Sequence, residues 1–188
     1  MSGPQLFAGA VAALAGLWVL WRFHRAVWRA RRADWGNAGL NWLDGLNRVF
    51  CRHFHRLPET RLPLPDEGPV VVVSNHVSGL DPMLLTASAD RPLRFLIARE
   101  QYDRPWLTWL FRAMGCIPVD RGGRPDRALR MALVALRAGE AVAIFPHGKI
   151  HLPDDPPRPL KAGAARLALA VGCPIVPARI EGVRGMGR

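Results

Sequence analysis

The sequence predicts an α/β domain, a mainly parallel central sheet covered by helices, behind an N-terminal membrane helix. Three observations carry that prediction. From residue 70 onward short apolar runs alternate with longer helical patterns, as in successive strand–helix–strand units. Ahead of them, Pro4 to Phe23 is almost wholly apolar and holds a single charge, Arg22. Between the two lies the Pro-rich linker Pro58–Pro69. A chain of 188 residues suits one domain with a short appendage.

The N-terminal stretch has the length that spans a bilayer core, about 20 residues. A signal peptide is the competing reading, but there is no basic region before the stretch and no small-residue cleavage site after it. Trp18 and Trp21 stand there instead. A buried helix of a soluble protein is the third reading. The span runs into Arg22, Arg25, Arg29, Arg31 and Arg32. Five arginines beside an apolar span place this side in the cytoplasm and favour anionic membrane lipids as partners. Residues 1–34 are therefore set as an anchor with its basic juxtamembrane segment.

Residues 35–61 are set as an amphipathic helix and linker. Trp35, Leu40, Leu43, Leu46, Val49, Phe50, Phe54 and Leu57 recur at helical spacing, with Arg48, Arg52, His55 and Arg56 at other positions. Such a helix lies in the membrane interface or packs on the domain behind it, and the pattern leaves both open.

Residues 62–188 form the α/β domain. Its expected strands are Val70–Ser74, Leu93–Ala98, Cys116–Val119, Ala141–Phe145 and Ile175–Ile180. The expected helices are Pro82–Ala89, Tyr102–Met114, Pro125–Ala138 and Leu160–Val171. His151–Pro159 is too rich in Pro and Asp for regular structure.

Charge narrows the partners. The net charge is +11 and the pI about 11.3, which favours an anionic surface. Seven Trp against one Tyr lean towards a membrane. A nucleic-acid binder needs aromatics interleaved with cations in the domain, yet most of the Trp lies in the N-terminal segment, so no nucleic acid is expected. Cys51, Cys116 and Cys173 are odd in number and far apart, which implies reduced thiols, no disulfide framework and no metal site.

The chemistry concentrates at strand ends. The apolar run Val70–Val73 stops at Ser74-Asn75-His76, and Asp81-Pro82 follows where a helix can begin. A histidine at a strand end is a ready general base, and a carboxylate folded back to it would fix its tautomer and steady its imidazolium. Asp81 also reads as an N-cap, with Pro82 at the first helical position. Such a pair arises often by chance and is weak evidence alone. Asp120-Arg121-Gly122-Gly123-Arg124 offers guanidinium forks and close backbone approach to an anion, or is a plain surface turn. Phe145-Pro146-His147-Gly148-Lys149 ends another strand with a histidine and a cation, or is a tight turn with a solvated lysine. Pro177-Ala178-Arg179 lies at the end of the last strand. In a parallel sheet these ends share one edge, where α/β proteins place their sites.

In this order the blocks resemble the lysophospholipid acyltransferase family, which includes the 1-acylglycerol-3-phosphate acyltransferases. Asn75-His76-Val77-Ser78-Gly79-Leu80-Asp81 matches every fixed position of the family's Asn-His-x-Ser-x-x-Asp block. Gly115–Arg121 fits the second block, with Arg121 in its place. Phe145–Ile150 stands where the family typically has Phe-Pro-Glu-Gly-Thr-Arg, and Cys173–Ile180 matches the fourth, proline-bearing apolar strand. The likeness covers about residues 70 to 180.

The resemblance implies a membrane-bound enzyme that moves a fatty acyl group from acyl-CoA or acyl-carrier protein to a lipid hydroxyl, as in glycerophospholipid synthesis. His76 and Asp81 would be catalytic. Asn75, Ser78, Arg121, His147, Gly148 and Lys149 would meet substrate. No cofactor or metal is implied, and backbone N–H groups near the first block are expected to hold the oxyanion. His147 replaces the family's Glu and Ile150 its Arg, which opens the alternative of an acceptor without phosphate. A non-catalytic membrane lipid-binding protein of the same fold is the other alternative. Family members usually continue past the fourth block, so the expectation is either a fragment or a protein whose sheet is completed by little else.

Overall fold

In the computed structural model, residues 3–122, 126–152 and 154–183 are described. Gly123 and Arg124 of the second block, Pro125 at the expected start of a helix, and Pro153 of the Pro/Asp loop lie outside the described residues.

Five apolar runs become five strands: β1 (Val70–Ser74), β2 (Leu93–Ala98), β3 (Ile117–Val119), β4 (Ala141–Ile144) and β5 (Ile175–Ala178). They lie in the order β3-β2-β4-β1-β5, and every pairing is parallel. All five therefore end on one edge. The strands end within two residues of the expected positions. Pro118 sits in β3 and Pro177 in β5, the two outer strands, because a residue without an N–H cannot serve a ladder on both sides. The fold class is as the sequence predicts.

Alternate strand residues face opposite sides. Val71, Val142 and Ile144 pack with Ala132 and Leu136 of one helix and Leu167 of another on one face of the sheet. Val70, Val72, Phe95 and Ala143 pack with Leu85 on the other. The helices of the first face are α6 (Asp126–Arg137) and α7 (Gly163–Val171); Leu85 belongs to α3 (Asp81–Ser88). The run expected as one helix over Tyr102–Met114 is two, α4 (Arg99–Tyr102) and α5 (Thr108–Ala113). Pro105 forbids helical continuation at Arg104 and makes a corner. Helix α7 starts three residues later than expected. The Lys161 N–H donates to Pro146 O (3.0 Å), which ties that stretch to the edge of the sheet instead.

Helix α1 (Gly3–Ala30) is long and apolar enough over Phe7–Ala30 to cross a membrane, and its apolar side chains from Phe7 to Phe23 are exposed. Arg22 lies over the Trp18 ring (4.9 Å) and Arg25 over Trp21 (4.6 Å), where the apolar stretch meets the basic one. Only near its end does α1 touch the rest of the chain, with Val27 buried against α2 (Ala38–His53). The helices meet at Gly45, where a Cβ would lie 2.0 Å from Val27 O.

Asn37 caps α2, its Oδ1 accepting from Gly39 N (2.9 Å) and Leu40 N (3.1 Å). The helix packs on α3, and its inward face corrects the sequence reading. Leu40, Asn41, Asp44, Gly45, Arg48 and Cys51 are buried, while Phe50 and Phe54 are exposed. Arg48, which lies off the apolar pattern of the sequence, is fully buried. It donates to Asp44 through Nε (2.7 Å), to Ala87 O (2.7 Å) and to Ala89 O. Those carbonyls close the last turn of α3, so Arg48 serves that helix as a C-terminal cap from another element.

Candidate active site

Strand β1 is buried along its length and delivers Asn75 and His76 to the edge where all five strands end. The turn after it is built around one oxygen. Asp81 Oδ2 accepts from Val77 N (2.6 Å) and Ser78 N (3.0 Å), and lies 2.7 Å from His76 Nδ1. An oxygen that accepts two backbone N–H groups is an acceptor towards the ring as well. The proton therefore sits on His76 Nδ1, and Nε2 carries the open lone pair of a general base. Asp81 is fully buried; His76 keeps 18 % of its side chain exposed.

The carboxylate does not cap its own helix. Leu80 is the N-cap of α3, and Met83 N and Leu84 N donate to Leu80 O. The expectation of Asp81 as an N-cap is corrected: its side chain turns back into the preceding loop because three donors converge on it there. That loop also removes two candidate oxyanion donors, since the N–H groups of Val77 and Ser78 already serve Asp81.

Asn75 and Ser78 make hydrogen bonds within the protein. The Asn75 amide clamps the segment after β5, donating to Ile180 O (2.8 Å) and accepting from Ile180 N (2.8 Å). Ser78 is buried, and its Oγ accepts from Leu80 N (3.2 Å). Both side chains help to build the loop that holds His76.

Strand β4 lies beside β1, so its end brings the third block to the histidine. The Phe145 ring stacks on the His76 imidazole, with centroids 4.2 Å apart and planes 18° from parallel. Phe95 stacks on Phe145 in turn. His151 N donates to His76 O (2.7 Å), and the rings of His147 and His151 stack at 4.5 Å. Gly148 takes φ +72°, and a Cβ there would meet Lys161 Nζ at 2.8 Å.

A cavity of about 360 Å³ opens at this edge, lined by Arg121, His147, Gly148, Lys149, Arg158, Pro159, Leu160 and Lys161. Four permanent cations surround it with no carboxylate in the lining. Arg121 reaches it from the end of β3, donating to Gly148 O (3.1 Å) and pairing with Glu100. The Arg121 hydrogen bond holds the Glu100 carboxyl below the usual range. Burial, then His151 and Arg158, pull His147 below the ordinary histidine value. Its buried Nδ1 has no hydrogen-bond partner among the described residues.

Sequence reasoning missed Arg158, Lys161 and His151. They sit in the Pro/Asp loop and the approach to α7, outside the strand-end blocks that the sequence singles out. The cysteines take no part. Burial pushes the Cys51 and Cys116 thiols up to about 11, and all three cysteines are unpaired.

The acyltransferase family model matches residues 53–181. The chain belongs to the acyltransferase family. That match takes in the His76–Asp81 loop, the third block and the cavity. Among relatives in the family, an N-acylphosphatidylethanolamine synthase of Arabidopsis thaliana is 37 % identical over 113 residues, covering 55 % of this chain and 40 % of the relative. A probable 1-acyl-sn-glycerol-3-phosphate acyltransferase of Mycoplasma pneumoniae is 34 % identical over 126 residues, covering 62 % of this chain and 46 % of the relative. The chain thus spans less than half the length of these curated relatives. The crystal structure of a 1-acyl-sn-glycerophosphate (LPA) acyltransferase, PlsC, from Thermotoga maritima shares the fold. Its TM-score is 0.55 at 24 % identity, covering 71 % of this chain and 56 % of that one.

Proposed function

We propose that this chain transfers a fatty acyl group from the thioester of acyl-CoA or acyl-carrier protein to the hydroxyl of a phosphate-bearing lysolipid. The observation that carries the reading is the His76–Asp81 pair at the same sheet edge as a cationic cavity, joined to the cavity's His147 through Phe145 and His151. The acceptor hydroxyl attacks the thioester carbonyl as its proton passes to His76 Nε2. Asp81 stabilises the imidazolium that results. The tetrahedral intermediate then collapses with cleavage of the C–S bond, and the imidazolium returns the proton to the departing thiolate. No enzyme nucleophile is required, since Ser78 is buried in the turn and the thiols are buried or raised.

The cavity favours phosphate over the phosphate-free acceptor that the replacements at His147 and Ile150 raise. Arg158 and Lys161 join Arg121 and Lys149 there, and the family's Glu is gone, so the lining is more cationic than the third block by itself suggests. Arg121 is paired with Glu100, and Lys149, Arg158 and Lys161 add three further positive charges that a phosphate would meet. The names of the Mycoplasma relative and of the Thermotoga structure agree with an acylglycerol phosphate acceptor. Helix α1 would span the membrane with Arg22 to Arg32 on the cytoplasmic side, holding the domain against anionic lipids there.

The test is mass spectrometry of lipids formed by the purified full chain from each thioester donor and a panel of acceptors. The reading expects acylated product from lysophosphatidic acid and little from a neutral monoacylglycerol. A reversed preference restores the phosphate-free acceptor, and no product with any acceptor leaves a lipid-binding protein of this fold.

A further inference from the structure

We propose that the corner between α4 and α5 is a second membrane-docking surface, which seats the catalytic edge on an anionic bilayer independently of α1. The inference rests on the lipid-acceptor reading above. Trp106 is 66 % exposed and Trp109 60 % exposed, a large apolar area in a small corner. The Trp109 Nε1–H donates to Trp106 O (3.0 Å), so its polar atom is satisfied within the corner while the rings face outward. On the inner side Tyr102 and Phe111 stack at 5.9 Å and pack on the sheet, which fixes the corner in place.

The occupant follows from chemistry and position. Arg104 and Arg112 flank the tryptophans and pair with no carboxylate among the described residues. The acids of the corner are already engaged, Asp103 by Arg99 and Glu100 by Arg121. Exposed Trp rings rimmed by unpaired arginines suit the headgroup layer of an anionic membrane, where each ring has an apolar body to bury and each cation a phosphate to meet. Helix α4 begins directly after the last residue of β2, so the corner stands on the catalytic edge. Glu100 links it to Arg121 of the cavity. A lipid acceptor leaving the bilayer here would enter the cavity with little exposure to water.

The test uses the full chain in phosphatidylcholine vesicles that contain phosphatidylglycerol. An environment-sensitive fluorophore is placed through Trp106→Cys, and separately through Trp109→Cys, in a Cys173→Ser background. Arg137→Cys, exposed at the opposite edge of the sheet, is the control. Lipids carrying a shallow nitroxide should quench the two corner labels roughly threefold or more over the control, and aqueous iodide should show the reverse order. Corner labels as open to iodide as the control would overturn the proposal. Shielding without vesicles would overturn it too, since the occupant would then be a second copy of the chain. Immersion is read whether or not the protein turns over, so a failed acyl-transfer assay leaves this result standing on its own.

Discussion

The Phe145 ring lies flat on the imidazole of His76, 4.2 Å from it, and Phe95 backs Phe145. The imidazole is thus held in its plane by Asp81 and from the side by Phe145. Phe145→Leu should lower kcat on the order of 10-fold through loss of orientation, with KM for the acceptor little changed. Steady-state kinetics with a melting curve separate this from unfolding. An unchanged kcat in a folded variant would make Phe145 a packing residue only.

Asp81→Asn should be worse on both counts. An amide cannot stabilise an imidazolium as a carboxylate does, so kcat should fall about 10²-fold or more at near-constant KM. The hydrogen bonds from Val77 and Ser78 lose charge assistance, and stability should drop by about 1–3 kcal/mol. A rise in KM at unchanged kcat would reassign Asp81 to binding.

Arg48→Ala should destabilise the fold by about 3–5 kcal/mol, since it strands a buried carboxylate and two helix-end carbonyls. Arg48→Met combined with Asp44→Leu should recover much of that loss, because it removes the buried charge along with its partner. Unfolding curves in detergent decide it. If the double variant were no better than the single, the carbonyl bonds to α3 would carry the stability rather than the ion pair.

His147 gives the cavity a pH dependence. Its folded pKa lies below 6.5, held there first by burial and then by His151 and Arg158. Without an anion, the unfolded chain takes up the proton first, so this group's contribution to stability is full above 6.5 and declines as pH falls towards the lowered value. A bound phosphate favours the imidazolium and raises the pKa again, so binding takes up a proton. Phosphate affinity should therefore rise as pH falls below neutrality, and His147→Gln should flatten that slope. Calorimetry in buffers of different ionisation enthalpy checks the uptake. Equal slopes in both proteins would place the titration elsewhere.

The sheet was legible because Val70–Val73 and Ala141–Ile144 are uniform apolar runs, as strands buried on both faces must be. His76 and Asp81 were legible because their partnership is local and a tight turn closes it. Arg48 was not. Periodicity assigns a helix face by its large apolar groups, and α2 turns a charged pair inward to serve the end of α3. Arg158 and Lys161 were hidden for another reason. They reach the cavity through the fold of the Pro/Asp loop, and no spacing in the sequence records that approach.

The most direct measurement is transfer of a labelled acyl group from acyl-CoA to lysophosphatidic acid by the full chain and by His76→Ala, with matched melting curves. Turnover by the wild type and a fall of about 10²- to 10⁴-fold in a folded His76→Ala protein are the predicted results. Undiminished transfer by folded His76→Ala would contradict the assignment of His76 as the base.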